Sequence, residues 1–122
     1  MNIVSLVLQT LLGLMFIGGG VTKLAGIKMH VDNFNKWRLP QWFRAVTGLV
    51  ETAGAIALIA GIWIDSWAAV GGLIMSVTML GAILTHLRVR DGAKDTMPSV
   101  ILLLLSLAVL VINWSELAHF PN

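Results

Sequence analysis

Four apolar runs, each close to the roughly 20 residues that a helix needs to cross a bilayer, constrain this chain more than any other feature. They lie at about residues 3–23, 43–64, 67–87 and 98–117. Lipid offers an open backbone no hydrogen-bond partner, so each run must be helical. The predicted fold is all-α: an integral membrane four-helix bundle, one membrane domain over residues 1–122. Composition points the same way. Only 11% of the residues are charged, where a soluble domain has about a quarter. A chain of 122 residues that is 57% hydrophobic carries more apolar surface than so small a protein can bury against itself. The first run has no basic stretch before it and no clear small-x-small cleavage site, so it reads as a span and not as a cleaved leader.

Breakers mark the boundaries. Pro40 suits the first turn of the second span and Pro98 the first turn of the fourth. Gly92 interrupts the connection between spans three and four. Asp65 and Ser66 leave room for only a tight turn between spans two and three. The segment at about residues 28–42 is different. Val31, Phe34 and Arg38 fall at helical spacing, with His30, Lys36, Trp37 and Trp42 around them. Aromatics mixed with cations predict a short amphipathic helix on the membrane surface.

All eight Lys and Arg residues sort to one side. Lys23, Lys28, Lys36, Arg38 and Arg44 lie in or flank the first loop; Arg88, Arg90 and Lys94 lie in or flank the third. The positive-inside rule puts both loops in the cytoplasm and both termini outside it. The net charge of +2 is too small and too dispersed for nucleic acid. The absence of cysteine excludes disulfides, thiol redox chemistry and thiolate metal sites. His30, His86 and His119 share no metal-ligand spacing, so no metal is expected.

Against this apolar background Glu51 stands out. It falls about 8 residues into the second span, roughly 12 Å deep at 1.5 Å per residue. An ionisable group at such depth faces the bundle interior and needs a partner. Lys23 closes the first span on a face that also carries Ser5, Gln9, Leu12, Phe16, Gly19 and Gly20. Thr47, Gly48, Gly54, Ala55 and Leu58 surround Glu51 on its own helix. His86 ends the third span, and Ser99, Ser106 and Asn113 form one stripe of the fourth. A bundle with these faces inward gathers Lys23, Glu51 and His86 at similar depth. They are the candidate ligand-binding cluster, with Gln9, Thr47 and Asn113 as supporting polar residues. A structural reading competes: Lys23 reaches water by snorkelling, His86 complements a helix C-terminus, and a Lys–Glu pair fixes helix register. Glu51 alone has no such easy explanation. No residue is assigned a catalytic role.

Other patterns carry less. "FIGGGVTKLAG" has glycines before a lysine but no Gly-Lys-Ser/Thr order, so it is not a phosphate loop. No Ser-His-Asp arrangement stands out. Ala53, Ala57 and Gly61, and likewise Ala68, Gly72 and Ser76, recur every fourth residue and read as helix-packing seams. They are open to use within the chain, in a homo-oligomer or against a membrane-protein partner.

With these residues placed, the chain resembles the DoxX and DoxX-like family of small four-helix bacterial membrane proteins. The resemblance rests on "FIGGGVTKLAG", "GLVETAGAIALIAG" and "MLGAILTHLRVRDGAKDTMP" in that order and spacing. It implies a four-helix bundle in which Lys23, Glu51 and His86 match recurrent polar positions. Some members look like, or are named after, subunits of membrane oxidoreductases acting with quinone; a distantly similar eukaryotic group includes assembly chaperones for membrane receptors. Three functions therefore compete. The first is a membrane oxidoreductase component that holds a quinone-like or other amphipathic small molecule at the Lys-Glu-His cluster. The second is an assembly or interaction factor that binds another transmembrane segment. The third is a small multidrug transporter. Members of that family carry their carboxylate in helix one and often insert both ways, unlike this chain.

Overall fold

The computed structural model describes residues 2–122. Its elements are α1 (Ile3–Ala25), α2 (Lys28–Lys36), α3 (Gln41–Ala60), α4 (Asp65–Arg88), α5 (Ala93–Ile112) and a terminal 3-10 helix, Trp114–His119. Among the described residues there are no strands. α1, α3, α4 and α5 are each long and apolar enough to cross a membrane. Leu11, Leu49, Ile56, Leu80, Leu104 and Val111 point outward and stay exposed, the surface a bundle presents to lipid. The chain is an all-α membrane protein with a short helix, α2, inserted between the first two long ones.

Local chemistry explains the ends. The Asn2 side chain accepts from the Ser5 N–H and caps α1. Gly26 closes α1 in the left-handed conformation, φ 71°, which a glycine adopts without a Cβ penalty. Arg44 donates to the Lys23 carbonyl at the same end, a cation placed where the helix macrodipole is negative. The Arg44 that interrupts the second apolar run therefore closes off its neighbour.

Several boundaries differ from those read in the sequence. α3 ends at Ala60, and the turn into α4 is Gly61–Ile64. Asp65 and Ser66 open α4 instead of forming the turn; the Asp65 carboxylate suits the positive start of a helix. A Cβ on Gly61 would lie 2.4 Å from the Ala68 backbone nitrogen, which fixes glycine at the crossing. α5 starts at Ala93 behind an extended Gly92, so Pro98 sits inside the helix, past the first turn. Its missing N–H frees the Lys94 carbonyl, and Lys94 is exposed, so water can satisfy it. Leu117 falls in the 3-10 helix beyond α5. α2 stops at Lys36, and Arg38 turns left-handed at φ 59°, so Arg38 does not continue the Val31–Phe34 face.

The long helices form a ring in which α1 packs on α3, α3 on α4, α4 on α5, and α5 closes on α1. Backbones touch where side chains vanish. A Cβ on Gly48 would meet the Gly20 carbonyl at 2.7 Å. One on Gly71 would meet the Leu58 nitrogen at 2.8 Å, and one on Gly72 the Leu110 nitrogen at 2.9 Å. Close approach of this kind drives helix association in lipid. The core is Leu12, Phe16, Ala55, Leu58, Ala68, Met75, Met79 and Val109.

Candidate functional site

The faces expected to turn inward do so. Ser5, Gln9, Leu12, Phe16 and Gly20 of α1 are buried, as are Gly48, Glu51, Gly54, Ala55 and Leu58 of α3. Lys23 and Glu51 meet: Lys23 Nζ lies 3.0 Å from Glu51 Oε2. The pair is well removed from solvent, with side-chain exposures of 16% for Lys23 and 5% for Glu51. Gly19 makes room for it, since a Cβ there would stand 3.2 Å from Glu51 Oε2. Lys23 donates to Oε2, and among the described residues nothing donates to Glu51 Oε1. The ammonium thus keeps spare donors beside a spare carboxylate acceptor.

This pair forms part of the wall of a cavity of about 470 Å³, a volume within the ordinary range for small-molecule sites. Around it stand Phe16, Val50, Met79 and Leu102, all apolar, with Thr47, Thr78, Thr85 and Ser99 as neutral polar groups. α2 covers one end: Phe34 and Trp37 both line the cavity, and Phe34 is buried.

His86 lines the same cavity but bonds to neither Lys23 nor Glu51. Its Nδ1 lies 2.6 Å from Asp91 Oδ2, and its ring meets Trp37 edge-on with centroids 5.2 Å apart. Lys36 of α2 reaches Asp91 Oδ1 at 3.4 Å, and Arg88 donates to the Trp37 carbonyl. The hydrogen bond from His86, followed by contact with Lys36, holds the Asp91 carboxyl below the usual aspartate range. Asp91 therefore ties the α4 end to α2. Nearby, Thr22 Oγ1 and His30 Nε2 lie 2.9 Å apart. Burial, then the Lys23 and Arg44 charges, push the His30 imidazole below its ordinary value.

Of the supporting residues, Thr47 lines the cavity, while its hydroxyl donates to the Phe43 carbonyl of its own helix. Gln9 and Asn113 do not belong to this site. They join Ser5 at the opposite end of the bundle. Ser5 Oγ donates to Gln9 Oε1 at 2.7 Å, Gln9 Nε2 to the Leu58 carbonyl at 3.1 Å, and Asn113 Nδ2 to Ser5 Oγ at 2.8 Å. Helix-face projection put Gln9 and Lys23 on one stripe correctly, but the stripe runs the length of α1 and its two polar ends serve different neighbours.

Asp91 and Trp37 were not legible as partners of His86, nor Lys36 as a partner of Asp91. Asp91 lies beyond the end of α4, where Arg90 takes a left-handed φ of 58° and the Asp91 N–H turns back to the His86 carbonyl. The sequence carries no glycine at position 90 to announce that reversal.

Four apolar helices around an open cavity with a charged pair in its wall define a small polytopic membrane protein. Residues 7–109 match the family described as DoxX-like, and the chain belongs to that family. It is 33% identical over 110 residues to the uncharacterized protein YdgD of Bacillus subtilis (strain 168), a match covering 88% of this chain and 96% of that protein. No solved structure matches the chain significantly.

Proposed function

We propose that this protein holds an amphipathic small molecule inside the membrane, as the binding component of a membrane oxidoreductase, with the ligand's head group at Lys23 and Glu51. The observation that carries the reading is the shielded Lys23–Glu51 pair in the wall of an otherwise largely apolar cavity of about 470 Å³. A quinone-like head group fits the donors present. The free N–H groups of Lys23 would hold a carbonyl oxygen, and Glu51 Oε1 would accept from a hydroxyl. A bound quinone would supply the electron transfer. The residues of the chain bind, exclude water and exchange protons at Lys23 Nζ and Glu51. His86 belongs to the rim of the site, oriented by Asp91.

The same reading puts the Lys23 end in the cytoplasm and both termini outside, in a bacterial inner membrane; the cation bias supports it. That bias also disfavours a dual-insertion transporter. An assembly role is less well supported. Of the small-residue seams that would receive a foreign helix, Ala57, Gly61, Ala68, Gly72 and Ser76 are buried within the bundle, and only Ala53 remains exposed.

The test is an organic extract of the protein purified from its own membranes. The reading expects a stoichiometric compound with an ultraviolet redox difference spectrum, retained by the parent and lost from folded Glu51→Gln. A featureless extract would count against the oxidoreductase role. A reporter fused at Asn122 is expected to sit outside the cytoplasm, and cytoplasmic activity would reverse the orientation.

A further inference from the structure

The facing stripes of α3 and α4 behave differently along their length. At the Asn113 end they are in contact: Gly61 against Ala68, Gly71 against Leu58, Gly54 against Met75. Continued toward the Lys23 end, the same stripes become Glu51, Thr47 and Phe43 on α3, and Thr78, Ala82 and Thr85 on α4. All six line the cavity. The two helices therefore diverge from their glycine contacts.

The outer edges of this gap are open. Projected at 100° per residue, Val46 and Val50 flank it on α3, and Val77 and Gly81 on α4. Val46 is 43% exposed, Val50 38% and Val77 63%, and each also lines the cavity. A Cβ on Gly81 would meet nothing within 4 Å. The end facing water is covered instead by Phe34 of α2 and by Trp37 just past its end, a segment that Asp91, Lys36 and Arg88 tie to the end of α4. The cavity is thus covered by α2 toward water and open toward lipid. Its charges are matched: Lys23 and Glu51 neutralise each other. An anionic head group would meet the Glu51 carboxylate, and a cationic one the Lys23 ammonium. A neutral group that both accepts and donates hydrogen bonds meets neither penalty.

We infer that the gap between the Lys23-end halves of α3 and α4 is a lateral portal. Through it a neutral, membrane-dissolved amphiphile with a hydroxyl or carbonyl head passes from the adjacent leaflet to the Lys23–Glu51 pair. This deepens the binding reading above and rests on it, by naming the route and the charge of the ligand.

The chain has no cysteine, so a single one can be placed at the portal and blocked after folding. Gly81→Cys protein in phosphatidylcholine vesicles is coupled to pyrene maleimide. It is then exposed to a monoacylglycerol with a diazirine in its acyl chain, or to the fatty acid of the same chain length. Photolabelled residues are mapped by mass spectrometry. The expected result is labelling of Phe16 and Met79 in the cavity by the neutral probe, falling about tenfold when Gly81→Cys is blocked. Blocked Leu73→Cys, on the outer face of the same helix, leaves it unchanged. The fatty acid labels outer residues only. Cavity labelling that survives the block at Gly81→Cys overturns the portal while leaving the binding site standing. Equal cavity labelling by the fatty acid overturns the neutral head group. No cavity labelling by the neutral probe in unblocked protein overturns the portal, whereas the extract experiment above decides the site by itself.

Discussion

The two ends of this bundle solve the problem of polar groups in lipid in opposite ways. At the Asn113 end the buried polar side chains are neutral: Ser5, Gln9 and Asn113 bond one another and the Leu58 carbonyl, while the buried Ser66 and Ser106 hydroxyls have no partner among the described residues. Glycines draw α3, α4 and α5 together around them. At the Lys23 end α3 and α4 part while α1 and α3 stay in backbone contact at Gly20 and Gly48, the polar groups are charged, and one carboxylate oxygen is left over beside a cavity. A neutral network in contact with packed backbone needs nothing further. A charged pair beside empty apolar space is a poor way to hold helices together, since such pairs gain little over well-packed hydrophobic residues. On the binding reading proposed above, the Asn113 end builds the fold and the Lys23 end holds the ligand.

The contrast can be broken most forcefully at the pair. Lys23→Met leaves Glu51 without its counter-ion, and removing one member of a buried pair costs about 3–5 kcal/mol. The double variant Lys23→Met with Glu51→Gln is expected to recover much of this loss. A double-mutant cycle measured by unfolding in mixed micelles isolates the coupling. Additive losses would mean that the two side chains act independently.

Two glycines at the Lys23 end separate its packed α1–α3 seam from the open α3–α4 gap. At Gly48 a methyl group meets the Gly20 carbonyl, and overpacking of this sort costs about 1–3 kcal/mol. Gly81→Ala meets nothing, and replacing a mid-helix glycine by alanine gains roughly 0.5–1 kcal/mol. Opposite signs in the same unfolding assay are the expected result. If both substitutions destabilise alike, α4 is packed at Gly81 and the helices do not part there.

Asn113→Ala probes the neutral end. Interhelical hydrogen bonds within membranes average about 0.6 kcal/mol and reach about 1.7 kcal/mol, so a loss in that range is expected, with ligand retention unchanged. Loss of ligand from folded Asn113→Ala would merge the two ends into one site.

The smallest effect concerns α2. Asp91 is held below the ordinary aspartate value of 3.8 by His86 and Lys36, so its contribution to docking α2 is complete above that value. It is lost as pH falls through the lower value of the folded protein. Fluorescence of a variant retaining only Trp37 is expected to shift at this acid transition, and Asp91→Asn to remove the shift. A shift unchanged in Asp91→Asn would assign the transition to another group.

Much of this was legible in the chain. Hydrophobic length gave the four helices, and the helical projection of Ser5, Gln9, Leu12, Phe16 and Glu51 gave their inward faces, because in lipid both are dictated by the solvent. The Lys23–Glu51 contact followed from similar depth together with the inward projection of both faces. What escaped was decided by neighbours. Pro98 lies inside α5 because Gly92 starts that helix earlier. His86 turned to Asp91 because a left-handed Arg90 folds the chain back. Gln9 and Lys23 share a face of α1, yet only the partner helices reveal that they serve opposite ends.

The Lys23 end is proposed to hold a small molecule. Native mass spectrometry of the protein released from its own membranes tests this claim most directly. Parent and Asn113→Ala are expected to carry the same added mass, and folded Glu51→Gln and Lys23→Met to fly without it. A parent with no adduct, or an adduct that persists in Glu51→Gln, would contradict the claim.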